Sequence, residues 1–166
     1  MILGCCGAGK STLARKMHSI LDLELIHLDQ HYFKANWVEP NKEEWAKRVE
    51  ALAERPSWII DGNYGGTIDI RIEKADTILY LKYSTLKCLF RVIKRMLKDW
   101  GKVRPDMAAG CKERLDFGFL HYVATFNKTR GQKLLQKLRK LEKTKQVFIL
   151  NDDRAVEKFI DSLIKS

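Results

Sequence analysis

The chain has few cysteines, and none of them stands in a metal-binding spacing. Of the four, Cys5 and Cys6 are adjacent, while Cys88 and Cys111 lack a CxxC or CxxH companion. A zinc site and a disulfide framework are therefore not expected, and reduced thiols in a cytoplasmic protein are. Long apolar runs are missing as well, so no segment has the length that a membrane span needs. The Met-Ile-Leu ahead of the first glycine is too short for a secretory leader. Internal repeats, low-complexity tracts and Gly/Ser/Pro-rich linkers are also absent. The expectation is one domain over residues 1–166, long enough to bury a core.

Charge is plentiful and unevenly placed. The net charge is +10, yet residues 1–80 carry ten Lys/Arg against twelve Asp/Glu, and residues 81–166 carry twenty-one against nine. A basic half of this kind suits nucleic acid, an acidic membrane surface or a polyphosphate substrate. Charge alone does not choose among them.

Short apolar runs alternate with helical periodicity. "MIL", "ELIHLD", "SWIIDGN", "DTILYLKY" and "QVFIL" read as strands. Helices are expected over "STLARKMHSIL", over "NKEEWAKRVEALAE" capped by Asn41, and over "STLKCLFRVIKRMLKDW" capped by Ser84 or Thr85. In the last of these, Leu86, Leu89, Phe90, Ile93, Met96 and Leu97 are expected to form the buried stripe. Further helix is expected up to about residue 143, and again over "DDRAVEKFIDSLI". Five strands separated by helices predict an α/β fold, a five-stranded parallel sheet flanked by helices on both faces. Ligands then bind at the carboxyl edge of the strands. The first strand is short for a central position; either it takes backbone from the loop behind it, or residues precede it.

That loop carries the clearest chemistry. Residues 4–12, "GCCGAGKST", contain Gly4, Gly9, Lys10 and Ser11 in the G-x-x-x-x-G-K-[ST] spacing, with Gly7, Ala8 and Thr12 completing the segment. Glycines let successive N–H groups close around phosphate oxygens, and the helix that follows adds its positive end. Lys10 is expected to reach the β- and γ-phosphates, and Ser11 to ligate Mg²⁺. ATP and Mg²⁺ are the expected cofactors. Cys5 and Cys6 are read as small residues that suit a tight turn.

Two carboxylates are expected at strand ends. Asp61, closing "SWIID", is assigned to the magnesium shell. Asp29, in "ELIHLDQHYF", is assigned the matching place on the preceding strand, where it would orient or deprotonate an acceptor. His27 and His31 beside it read as packing or rim residues, and Tyr32, Phe33 and Trp37 as an aromatic wall or as core. Arg91, Arg95, Arg104, Arg114 and Arg130 are the cations available to a transferring phosphoryl group. Arg95 and Arg130 are the two assigned to catalysis. The basic residues of 128–145 read as the outer face of a helix.

"GCCGAGKSTLARK", "IHLDQHYFKANWVEP", "WIIDGNYGGTIDIRIEKADTILYL" and "RPDMAAGCKERLDFGFL" together resemble the bacterial DNA topology modulation proteins, which are grouped with adenylate-kinase-like P-loop proteins. The resemblance runs over roughly residues 2 to 135. It implies a sheet of the nucleoside-monophosphate-kinase type with a small lid, placed here at residues 100–130. Asp61-Gly62 match the Asp-Gly that ends the third strand of adenylate kinases. Those enzymes continue with a Pro-Arg that grips a monophosphate, whereas this chain continues Asn63-Tyr64-Gly65-Gly66. Arg71 is the nearby substitute. Gly65-Gly66 are similar to the glycine turn of shikimate-kinase-like enzymes, and the Asp29 segment is similar to that of uridine-kinase-like enzymes. Asp29, Gly65, Gly66 and Arg71 are thus the expected acceptor-binding residues.

The expected function is transfer of the γ-phosphoryl group of ATP to a nucleotide, nucleoside or other small acceptor. The alternative is a nucleotide-switched DNA-binding regulator, with duplex DNA as partner and no membrane.

Overall fold

The computed structural model describes residues 1–165. Five strands are all parallel: β1 (Ile2–Gly4), β2 (Leu25–His27), β3 (Ile59–Asp61), β4 (Thr77–Leu81) and β5 (Gln146–Leu150), in the spatial order β2-β3-β1-β4-β5. β1 is central and takes Gly4 from the glycine loop, pairing it with Leu81. Period-two alternation divides the strand side chains between two layers. On β4, Leu79 and Leu81 join Ile2, Leu13, Met17, Val92 and Phe159 on one face. Ile78 and Tyr80 join Leu3, Ile72 and Leu138 on the other. A third cluster, Ile26, Leu28, Trp45, Val49, Leu52 and Ile60, seals the β2 edge.

The helices are α1 (Lys10–Leu21), α2 (Leu28–Tyr32), α3 (Lys42–Ala53), α4 (Ile68–Lys74), α5 (Thr85–Lys98), α6 (Phe117–Phe126), α7 (Arg130–Leu141) and α8 (Asp153–Lys165). Asn41 caps α3 by accepting from the Glu44 N–H, and Ser84 caps α5 by accepting from the Lys87 N–H, which decides between Ser84 and Thr85. Among the described residues, no helix is long and apolar enough to cross a membrane.

Three expectations are corrected. "ELIHLD" is strand only to His27, so Asp29 belongs to the short helix α2 rather than to a strand end. The residue in register with Asp61 is His27. The segment "IDIRIEK", given no element from sequence, is α4. The buried face of α5 is Cys88, Val92 and Met96, while Leu86, Phe90, Ile93 and Leu97 face outward. The helix has two apolar faces, and periodicity does not say which one the core will cover.

Candidate functional site

β1 ends in a loop whose conformation only glycine enters freely. Gly4, Gly7 and Gly9 have φ of 140°, 82° and 98°. A Cβ on Gly4 would stand 2.6 Å from the Leu81 carbonyl oxygen, and one on Gly7 would stand 2.4 Å from that of Cys88. Gly9 precedes α1, whose first turn has no side-chain cap, so its free N–H groups remain for an anion. The Lys10 Nζ donates to the Cys5 carbonyl oxygen at 3.2 Å. Burial works against its charge, but the carboxyl groups of Asp61 and Asp29 around it favour the charged form, and its pKa is raised. Lys10 is held charged. Burial pushes the Cys6 thiol up, so it is a packing residue rather than a reactive thiolate.

The loop opens into a cleft of about 1750 Å³ at the carboxyl edge of the sheet. Gly7, Ala8, Gly9, Lys10, Ser11 and Thr12 line it, as do Asp29, Asp61, Gly65 and Gly66. Arg91, Arg95, Arg104, Arg114 and Arg130 do so too. Gly4 stands at the loop's base, where the Asn63 side chain holds its backbone at both ends. The Gly4 N–H donates to Asn63 Oδ1 at 3.1 Å, and Asn63 Nδ2 donates to the Gly4 carbonyl at 2.8 Å.

Asp61 is almost fully buried, with one carboxylate oxygen 2.6 Å from His27 Nδ1. His27 is therefore a packing residue that orients this carboxylate. Asp29 accepts from the Tyr64 hydroxyl at 2.5 Å. Burial raises its pKa despite that bond and the nearby Lys10. Around it, the Tyr32 ring meets those of Phe33, Trp45 and Tyr64, and Phe33 meets Trp37. Tyr32, Phe33 and Trp37 line the cleft as part of this aromatic cluster. A Cβ on Gly65 or Gly66 would meet nothing within 4 Å, so both glycines leave open space.

Arg71 is not brought to the cleft. It is fully buried, and its guanidinium donates to the carbonyls of Gly62, Asn63 and Tyr64. Burial brings its pKa down to about 10. It shapes the turn after β3 from behind instead of gripping a ligand.

The segment after α5 folds back over the loop. Arg104 Nη1 donates to Asp106 at 3.1 Å, and Arg104 Nε lies 2.7 Å from Glu113. Arg95 donates to the same Glu113 at 3.3 Å. The Arg95 Nε is buried without a hydrogen-bond partner. Burial works to raise the Asp106 pKa, but Arg104 and a hydrogen bond with Ser11 lower it below the usual carboxylate value. Asp106 thus stands at the Ser11 hydroxyl, which sequence reasoning did not foresee. Its only sequence signal was the distinctive "RPDM". Arg91 donates to both oxygens of Asp153, at 2.9 and 3.1 Å, and Arg130 lies 4.8 Å from the centre of the Tyr122 ring.

No family model and no curated protein matches the chain. Among solved structures, it is similar to the deoxyadenosine kinase from M. mycoides with bound dCTP. The identity is 16%, the match covers 99% of this chain and 98% of that one, and the TM-score is 0.50. It is also similar to a candidate kinase from Chloroflexus aurantiacus, at 11% identity, covering 99% and 96% of the two chains, with a TM-score of 0.50. At these identities the likeness concerns the fold, and the fold of this chain is that of P-loop kinases.

Proposed function

We infer that this protein is a small-molecule kinase that transfers the γ-phosphoryl group of ATP to a nucleotide, nucleoside or other small acceptor. The carrying observation is that one cleft holds the glycine loop with its charged Lys10 and, with it, the half-buried carboxyl group of Asp29. The loop amides and Lys10 would hold the phosphates, and Arg95 and Arg130 are the arginines assigned to the transferring group. Ser11 and Asp61 would hold magnesium, with Asp106 beside them. When bound, the ion neutralises charge developing on the phosphate oxygens. Among the described residues no three His, Cys, Asp or Glu side chains converge to hold a metal. That donor set suits an ion that arrives with nucleotide phosphates and keeps several waters.

At the acceptor end stands the Asp29 carboxyl group. Arg104, whose charge acts on it, is paired with Asp106 and Glu113, and Arg71 is enclosed behind the turn. A hydroxyl is the acceptor this arrangement suits best. Asp29 takes the hydroxyl proton as the oxygen bonds to the γ-phosphorus, and the bond from that phosphorus to the bridging oxygen breaks. The products are ADP and the phosphorylated acceptor. The motif resemblance to DNA topology modulation proteins belongs to the same reading, since a kinase can alter supercoiling indirectly through nucleotide pools.

The test is ADP release from MgATP with and without a pool of nucleosides, nucleoside monophosphates and small hydroxy acids. Release stimulated by the pool and lost in Lys10→Ala is the expected result. Release that ignores every acceptor but responds to duplex DNA would replace this reading with the nucleotide-switched regulator.

A further inference from the structure

The outward face of α5 carries a strip of large apolar side chains with nothing over it. Leu86, Phe90, Ile93 and Leu97 are 79%, 67%, 42% and 71% exposed, and Trp100 just beyond the helix is 58% exposed. Their four-three-four-three spacing is that of a coiled-coil seam. Scattered exposed leucines are ordinary, but a contiguous strip of this size marks a contact surface. The core is not short of α5 side chains, because Cys88, Val92 and Met96 already face it.

We propose that this strip is a homodimer interface in which the α5 helices of two copies pack antiparallel about a two-fold axis. Two observations favour a second copy as the occupant. The four-three-four spacing of residues 86, 90, 93 and 97 reads the same in both directions. An antiparallel copy therefore sets Leu86 against Leu97 and Phe90 against Ile93, as a self-complementary contact requires. The area also suffices. Those four residues and Trp100 together expose roughly 650 Å², most of the ~800 Å² per partner of a standard stable interface, and the methylene stems of the flanking lysines would supply the remainder.

Charge supplies the signature that separates this occupant from an anionic one. Lys87, Lys94 and Lys98 lie along one edge of the strip. Lys87 is already paired with Asp153. In an antiparallel pair that edge faces its own copy, so the lysines repel and the apolar strip must hold the dimer. Association should accordingly tighten as salt rises, through screening. Nucleic acid or an anionic lipid surface bound through the same lysines would be released by salt.

The experiment is sedimentation velocity on the full chain over a concentration series, at low and at elevated salt. The comparisons are Phe90→Glu combined with Leu97→Glu, and an equimolar mixture of Leu86→Cys and Leu97→Cys chains under a mild disulfide oxidant. The wild type is expected to form a dimer that tightens with salt. The double glutamate variant is expected to stay monomeric with an unchanged circular dichroism spectrum, since both side chains are exposed in the single copy. The cysteine mixture is expected to cross-link residue 86 of one copy to 97 of the other. A wild type that stays monomeric at every concentration overturns the proposal, as does association that weakens with salt or survives the glutamates. Cross-linking of 97 to 97 overturns the antiparallel arrangement. Monomers that bind anionic vesicles or duplex DNA through the strip would assign it to those partners instead.

Discussion

The two ends of the cleft are built in different ways. The phosphate end is one unbroken segment, residues 4–12, in which strand, glycine turn and helix start follow one another along the chain. Its shape is enforced locally, by three positive φ angles and by backbone packed so tightly that a methyl group would collide. The end proposed to take the acceptor is gathered from Asp29 on α2, the aromatic side chains that follow it, Tyr64 and the two glycines after β3, and the folded-back segment around Arg104, Asp106 and Glu113. No piece of that end makes a site without the others. A phosphate loop tolerates little change within itself, whereas the acceptor end depends on residues far from any ligand.

Substitutions can break or sharpen that contrast. The largest effect is expected from Lys10→Ala, which should lower kcat/KM about 10³-fold by removing the cation aimed at the phosphates. The circular dichroism spectrum should not change, and a folded variant that still transfers phosphate would place the chemistry elsewhere. Asp29→Asn should lower kcat about 10²-fold while leaving ATP affinity, measured by titration calorimetry, unaltered. Because burial raises the Asp29 pKa, wild-type activity should climb with pH on a limb displaced above the ordinary carboxylate range near ~4. The variant should lose that limb, and a limb that persists would exclude Asp29 as the base.

Arg71→Met examines the support behind the acceptor end. It leaves three carbonyls without their donor and should cost about 3 kcal/mol in urea unfolding. The acceptor KM should rise more than the ATP KM. Equal effects on both would mean that the turn after β3 serves the two ends alike. Gly7→Ala should cost about 2 kcal/mol, because it adds a side chain at φ of 82° and drives a methyl group into the Cys88 carbonyl. The smallest effect is expected from Asp106→Asn, about 1 kcal/mol at neutral pH. The folded-state pKa of Asp106 is depressed, so its contribution is present above the unfolded carboxylate value and is lost as pH falls through the folded value. The stability gap between wild type and Asp106→Asn should therefore close in acid, and a gap that widened there would contradict the pairing of Asp106 with Arg104 and Ser11.

How far the sequence could be read follows the same division. The spacing of Gly4, Gly9, Lys10 and Ser11 announced the glycine loop because every group it needs is a near neighbour in the chain. The five strand segments were legible because each is a short apolar run bounded by turn residues. Asp29 lines the cleft, but from a helix rather than a strand end: the apolar run continues through Leu28, and only the tertiary path ends β2 at His27. Arg71 was expected at the ligand only as a substitute for the Pro-Arg arginine that the adenylate-kinase resemblance implies. Full burial against three carbonyls is a matter of packing, which no spacing records.

By itself, then, the sequence determined the order of the elements, the parallel sheet they imply, and the glycine loop at its carboxyl edge. These rest on local propensity, on periodicity, and on backbone angles that particular residues favour or forbid. Tertiary structure alone decided which apolar face of α5 met the core, that Asp106 came to Ser11, that His27 came to Asp61, and that Arg71 went behind the turn. All but the last are contacts between segments remote in the chain, and the last joins α4 to the turn just before it. Such contacts follow from how the layers pack around the sheet, and no residue pattern within a single segment specifies them.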